Sequence, residues 1–106
     1  MKTILEIENQ LEKLDLLYKE IRKGKRTSEL TVKEFEAVVD ISKQGESLSE
    51  ELYEMFNTNA ITILDGINSV RILDDGNEKF MAVLSDEYGA LMHYKRITDA
   101  QYNAFK

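Results

Sequence analysis

The side chains equipped for chemistry in this chain are few and scattered. His93 is the only histidine, and cysteine is absent. A general base needs an orienting carboxylate and a nucleophile beside it, and zinc needs three or four nitrogen or sulfur ligands. One histidine without cysteine builds neither. In an expected last strand His93 shares a face with Leu91, Lys95 and Ile97, the setting of a structural or solvated histidine. Asp74, Asp75, Asn77 and Glu78 crowd oxygen ligands around Gly76, the raw material of a calcium loop. They lack the EF-hand spacing, and a type I′ hairpin turn at Asp75-Gly76 accounts for them without a metal. With 20 acidic residues in 106, some carboxylate pairs arise by chance, so pairing alone does not announce acid and base catalysis. No glycine-rich phosphate loop, nucleophile elbow or dinucleotide fingerprint is present. The expectation is a protein that is not an enzyme and uses no cofactor and no metal.

Recognition chemistry is better represented. Arg22, Lys23, Lys25 and Arg26 form a basic run broken only by Gly24, in a chain of net charge -6. The rest of the chain, without those four cations, sits near -10, so charge is polarised along the sequence. The run is a candidate phosphate contact, but it reads better as a favourable ending for a helix whose dipole is negative there. No aromatic residue lies between the cations to stack on a base, and the net charge opposes attraction to nucleic acid or an anionic membrane. Direct nucleic-acid binding is therefore not expected. The candidate contacts to a basic partner are Asp74, Asp75, Asp86 and Glu87 in turns, with Glu50, Glu51 and Glu54 on a helix.

The elements that position these groups follow from periodicity. Ile4, Ile7, Leu11, Leu14, Tyr18 and Ile21 recur at alternating spacings of three and four, a heptad seam on a helix from about Thr3 to Lys23. It is a candidate surface for a homodimer. Leu5, Leu16 and Leu17 broaden the stripe, and Gly24 suits a left-handed cap. Thr31 with Glu34 announces a second helix, with Val32, Phe35, Val38 and Val39 inward, ending near Lys43 before Gly45. Ser47 with Glu50 announces a third, with Leu48, Leu52, Met55 and Phe56 as its apolar side. Residues 60–64 read as a strand or as continued helix; the two-turn interval from Phe56 to Ile63 favours helix.

The period then changes to two. Val70–Leu73, Glu78–Leu84 and Ala90–Ile97 are strand-like, separated by turn sequences. Phe80, Ala82 and Leu84 alternate with Met81 and Val83, so the middle strand calls for cover on both faces, from helices on one and from a partner or second copy on the other. Thr98 with Gln101 opens a terminal helix through Phe105. The expected fold is α+β: about three N-terminal helices on a three-stranded antiparallel meander, with a short C-terminal helix. It is read as one domain over 1–106, helical at 3–65, meander at 68–97, terminal helix at 98–105.

Glu6 and Glu8 interrupt any apolar leader, and no run approaches the roughly 20 apolar residues of a membrane span, so a cytoplasmic location is expected. The leading functional expectation is a small acidic protein-binding regulator or inhibitor that blocks a basic or nucleic-acid-binding surface of a larger protein. In acidity and size, though in no motif, the chain resembles the small acidic proteins that bacteriophages of low-GC hosts use against host machinery, anti-CRISPR proteins among them. That likeness implies a host protein as target and the host cytoplasm as its place. One alternative is an assembly protein that self-associates through the heptad helix. Another is a nucleic-acid accessory protein using the basic run at 22–26.

Overall fold

Helix α1 spans Ile4–Arg22 in the computed structural model, which describes residues 2–106. Thr3 caps its start, its Oγ1 accepting the Glu6 backbone N–H at 3.2 Å. The left-handed ending begins one residue before the expected glycine: Lys23 takes φ 45° and donates its N–H to the Lys19 carbonyl, and Gly24 follows at φ 77°. A 3-10 turn at Thr27–Glu29 leads to α2, Val32–Thr58. The Thr31–Glu34 capping box forms as expected, with reciprocal bonds of 3.0 and 3.1 Å.

The expected second and third helices are one helix of 27 residues. Ser47 and Glu50 lie inside it, so their capping pattern opens nothing. A lone interior glycine costs about 1 kcal/mol relative to alanine, too little to break a helix whose apolar stripe continues on both sides of it. A methyl group at Gly45 would meet nothing within 4 Å. Gly45→Ala should therefore raise stability by about 0.5–1 kcal/mol, read as a higher urea midpoint at unchanged slope.

The chain forms two compact units, one ending at Glu50 and the other Glu51–Lys106. In the first, the heptad seam of α1 is its covered face. Ile4 and Ile7 are buried, and Leu11, Leu14, Tyr18 and Ile21 are half-buried. On α2 the matching covered stripe is Glu34, Ala37, Val38, Ile41, Gly45 and Leu48, also of heptad spacing. Val32, Phe35 and Val39, expected inward, are exposed.

The second unit carries a four-stranded antiparallel sheet in the order β1-β2-β3-β4, with β1 at Ile61–Leu64, β2 at Asn68–Asp74, β3 at Lys79–Ser85 and β4 at Ala90–Ile97. β1 overturns the helical reading of 60–64 and adds a strand to the expected three. Helix α2 ends where Asn59 donates to the Met55 carbonyl, and the β-branched run Ile61-Thr62-Ile63 then pairs Ile61 with Ile72 and Thr62 with Arg71. Cross-strand pairing outweighs a coincidence of helical spacing.

One face of the sheet carries Ser69, Leu73, Phe80, Ala82 and Leu84, all buried. The last two turns of α2 lie against it, through Phe56, whose ring centroid is 6.3 Å from that of Phe80 and 5.6 Å from that of Tyr94. Helix α3, Asp99–Phe105, opens with the expected capping box at Thr98 and Gln101. It contributes to the second face of β3: Lys79 reaches Asp99 at 3.2 Å and lies 5.9 Å from the ring centroid of buried Tyr102. Cover expected from a partner or second copy thus comes in part from the chain itself.

Candidate functional site

The basic run closes the link between α1 and α2. Arg22 donates to the Lys25 carbonyl at 3.1 Å and to Thr27 Oγ1 at 3.4 Å, and its guanidinium lies 5.5 Å from the Tyr18 ring centroid. Lys25 pairs with Glu34 at 3.2 Å. Lys23 and Arg26 are exposed. Two of the four candidate phosphate contacts are thus engaged in loop geometry. An open depression of about 430 Å³ beside them is lined by Glu20 and Glu34 as well as by Lys23 and Lys25, over Leu17 and Ile21. Its mixed charge gives no focused field for an anion.

Glu34 is the electrostatic centre of this link. The Thr31 backbone N–H, and then Lys25, hold its carboxyl below the ordinary value of 4.5. A carboxyl lowered by folding stabilises the folded state above its unfolded pKa, and that contribution disappears as pH falls through the folded pKa. Wild-type stability should therefore drop more steeply than that of Glu34→Gln as pH falls below 4.5. Urea midpoints of the two proteins across that interval measure the difference.

The acidic candidates divide sharply. In the turn between β2 and β3, Asp75 is buried, and its Oδ1 accepts the backbone N–H groups of Asn77 at 2.9 Å and Glu78 at 2.8 Å. Asp74 accepts the Gly76 N–H at 2.9 Å and lies 3.7 Å from Lys79. Glu78 is held by Arg96 at 2.6 Å. Positive φ falls on Gly76 and not on Asp75, so the turn is not the type I′ pair expected. These carboxylates build the hairpin. Among the described residues no cluster of three histidine, aspartate or glutamate side chains has the arrangement of a metal site, and His93 is exposed on β4.

Glu50, Glu54, Asp86 and Glu87 are exposed, and their side chains have no ion pair or hydrogen bond among the described residues. Glu51 is exposed and shares with Glu50 and Glu54 one side of α2. Asp86 and Glu87 stand in the turn between β3 and β4, where Ser85 Oγ accepts the Tyr88 N–H at 3.3 Å and Gly89 takes φ 57°. Helix and turn each display carboxylates to solvent.

The candidate self-association seam is largely covered, and the larger exposed apolar groups on α1 are Leu5, Leu16 and Leu17. Sequence reasoning did not find the lateral edge of the sheet. There Ile61, Leu64 and the following Ile67 are 41%, 62% and 83% exposed. The available signal was the β-branched run followed by Asp65-Gly66, a turn pair suited to a hairpin. Nor did it find Arg71, which binds the end of α2 through Phe56 and Asn57. No helix among the described residues is long and apolar enough to cross a membrane. Compared with known proteins, the chain matches no family model, no curated protein and no solved structure at a significant level.

Proposed function

We propose that this protein is a small acidic regulator that binds a basic surface of a larger protein and blocks it. The observation that carries this reading is a set of exposed carboxylates left over once the ion pairs of an acidic chain are made. Lys19, Arg22, Lys25, Arg71, Lys79 and Arg96 are engaged within the chain. Glu50, Glu54, Asp86 and Glu87 face water without a partner among the described residues. Exposed carboxylates in excess speed encounter with a cationic surface and repel polyanions such as DNA or RNA. The blocked surface is then one that itself binds nucleic acid, and the protein acts in the cytoplasm, the host's own if the chain is phage-borne. The engaged cations at 22 and 25 weigh against the nucleic-acid reading, and the covered seam against a seam dimer.

The test compares wild type with the fourfold variant Glu50→Lys, Glu54→Lys, Asp86→Lys, Glu87→Lys as bait in nuclease-treated lysate. A basic protein held near equimolar ratio by wild type, released by salt and absent from the variant, is the expected result. Equal capture by both baits removes these carboxylates from the interface and the reading with them.

A further inference from the structure

The sheet has two lateral edges, and they are built differently. β4 carries His93, Lys95 and Arg96, and its register shifts around Met92. Charge on an edge strand is one way natural sheets discourage another strand from joining. β1 reads Ile-Thr-Ile-Leu, pairs with β2 alone, and bears no charge and no proline. Like β4 it shifts register, here at Ile63, so the two edges differ in charge and not in regularity. Ile61 and Leu64 stand on the Val70 and Ile72 face of the sheet, both exposed, and exposed Ile67 follows in the turn to β2. Alternate residues of β1 point their backbone N–H and C=O groups away from β2, and hydrogen bonding to an added strand is what such groups are suited to.

Local charge identifies the occupant. From Glu51 to Val70 the chain carries Glu51, Glu54 and Asp65 and no lysine, arginine or histidine. Arg71, the next cation, turns its guanidinium to the end of α2 on the other face of the sheet. A second copy would bring the same carboxylates, a net charge of -6 and the same shift in register to be matched across a twofold axis. A flexible segment with cations at its ends meets neither obstacle.

Building on the acidic-regulator reading, we propose that the partner's contact element is an extended segment, apolar at alternate positions and flanked by lysine or arginine, that adds to the sheet along β1. Backbone hydrogen bonds to the β1 edge supply its register. Apolar side chains of the segment rest on Ile61 and Leu64, and its cations are drawn by the carboxylates of residues 51–70, with Asp65 next to Leu64.

The probe is the peptide Lys-Val-Thr-Val-Thr-Val-Lys, titrated to millimolar concentration into the isotope-labelled full chain and followed by amide chemical shifts. Shifts centred on Ile61–Leu64, lost when alternate peptide amides are methylated and about tenfold weaker when glutamate replaces both lysines, are expected. No shift at Ile61–Leu64, equal binding by the methylated peptide, or shifts that follow protein concentration alone would overturn the proposal. The lysate capture separates it from the reading beneath it. The neutral double variant Ile61→Ser, Leu64→Ser should lose the basic protein that wild type holds. Full retention by that variant overturns docking at the edge and leaves the acidic regulator standing, whereas no capture by wild type overturns both.

Discussion

Replacing Phe56 with alanine should remove about 3–5 kcal/mol of stability. The ring is 0% exposed and is the member of a three-ring cluster that comes from the helix: Phe80 packs edge-on to it at an interplanar angle of 84°, and Tyr94 lies tilted at 39°. Phe80 and Tyr94 are themselves 6.1 Å apart between centroids, so the rings form a closed triangle. Alanine removes the transfer free energy of the ring, leaves a void that the rigid sheet cannot close, and deletes two aromatic contacts worth about 0.5–1.5 kcal/mol each. Against the roughly 5–15 kcal/mol that stabilises a typical domain, this brings the protein close to unfolding. Urea denaturation measures the loss, and faster hydrogen exchange of β2 and β3 amides locates it. Phe56→Leu should restore more than half by refilling volume without the ring. A cost below about 1 kcal/mol would mean that the cluster relaxes freely and is not the centre of this core.

The cluster also marks how far the sequence could be read. Phe56 and Phe80 each sit on an apolar stripe visible in the chain, and the seam Ile4 to Ile21, the capping boxes at Thr31 and Thr98, and the three longer strands were legible for the same reason. Each repeats a local period or a fixed local hydrogen-bond pattern. The errors come where a local signal is real but outweighed. Ser47 and Glu50 have the composition of a cap, yet the helix around them never ended, because a stripe through Leu48, Leu52, Met55 and Phe56 continues past Gly45. Ile61–Leu64 has four residues, too short for period to separate strand from helix, and only pairing with β2 decides it. The candidate site was less legible than the fold. Asp75 looks like any turn carboxylate in sequence, and its burial follows from a register that joins Asp74 to Lys79. The lack of charge in Ile61–Leu64 is visible in the sequence, but that this strand is an edge is defined by what lies beside it.

Arg71→Met should cost about 2–3 kcal/mol and loosen the end of α2. The last carbonyls of a helix have no partners within it and carry the negative end of its dipole. Arg71 answers both needs: its Nη1 donates to the Phe56 carbonyl at 3.1 Å, the Asn57 carbonyl at 2.7 Å and Asn57 Oδ1 at 3.2 Å, and its Nε to Ser69 Oγ at 3.3 Å. Methionine keeps an apolar stem across the sheet and deletes every one of those bonds, leaving the buried Ser69 hydroxyl without its arginine donor. Thermal unfolding should register the loss, and amides of the last turn of α2 should exchange faster than those of β3. Lysine at this position keeps the charge but not the planar fork, so Arg71→Lys should recover only part of the difference. The consequence reaches the proposed docking edge, because only Asn59 and Ala60 separate the end of α2 from β1. If Arg71 fixes where β1 begins, Arg71→Met should weaken peptide addition at Ile61–Leu64 although the substituted residue lies on the opposite face of the sheet from Ile61 and Leu64. Undiminished peptide binding, together with a stability loss under about 0.5 kcal/mol, would show that water satisfies those carbonyls and that pairing with β2 alone positions the edge.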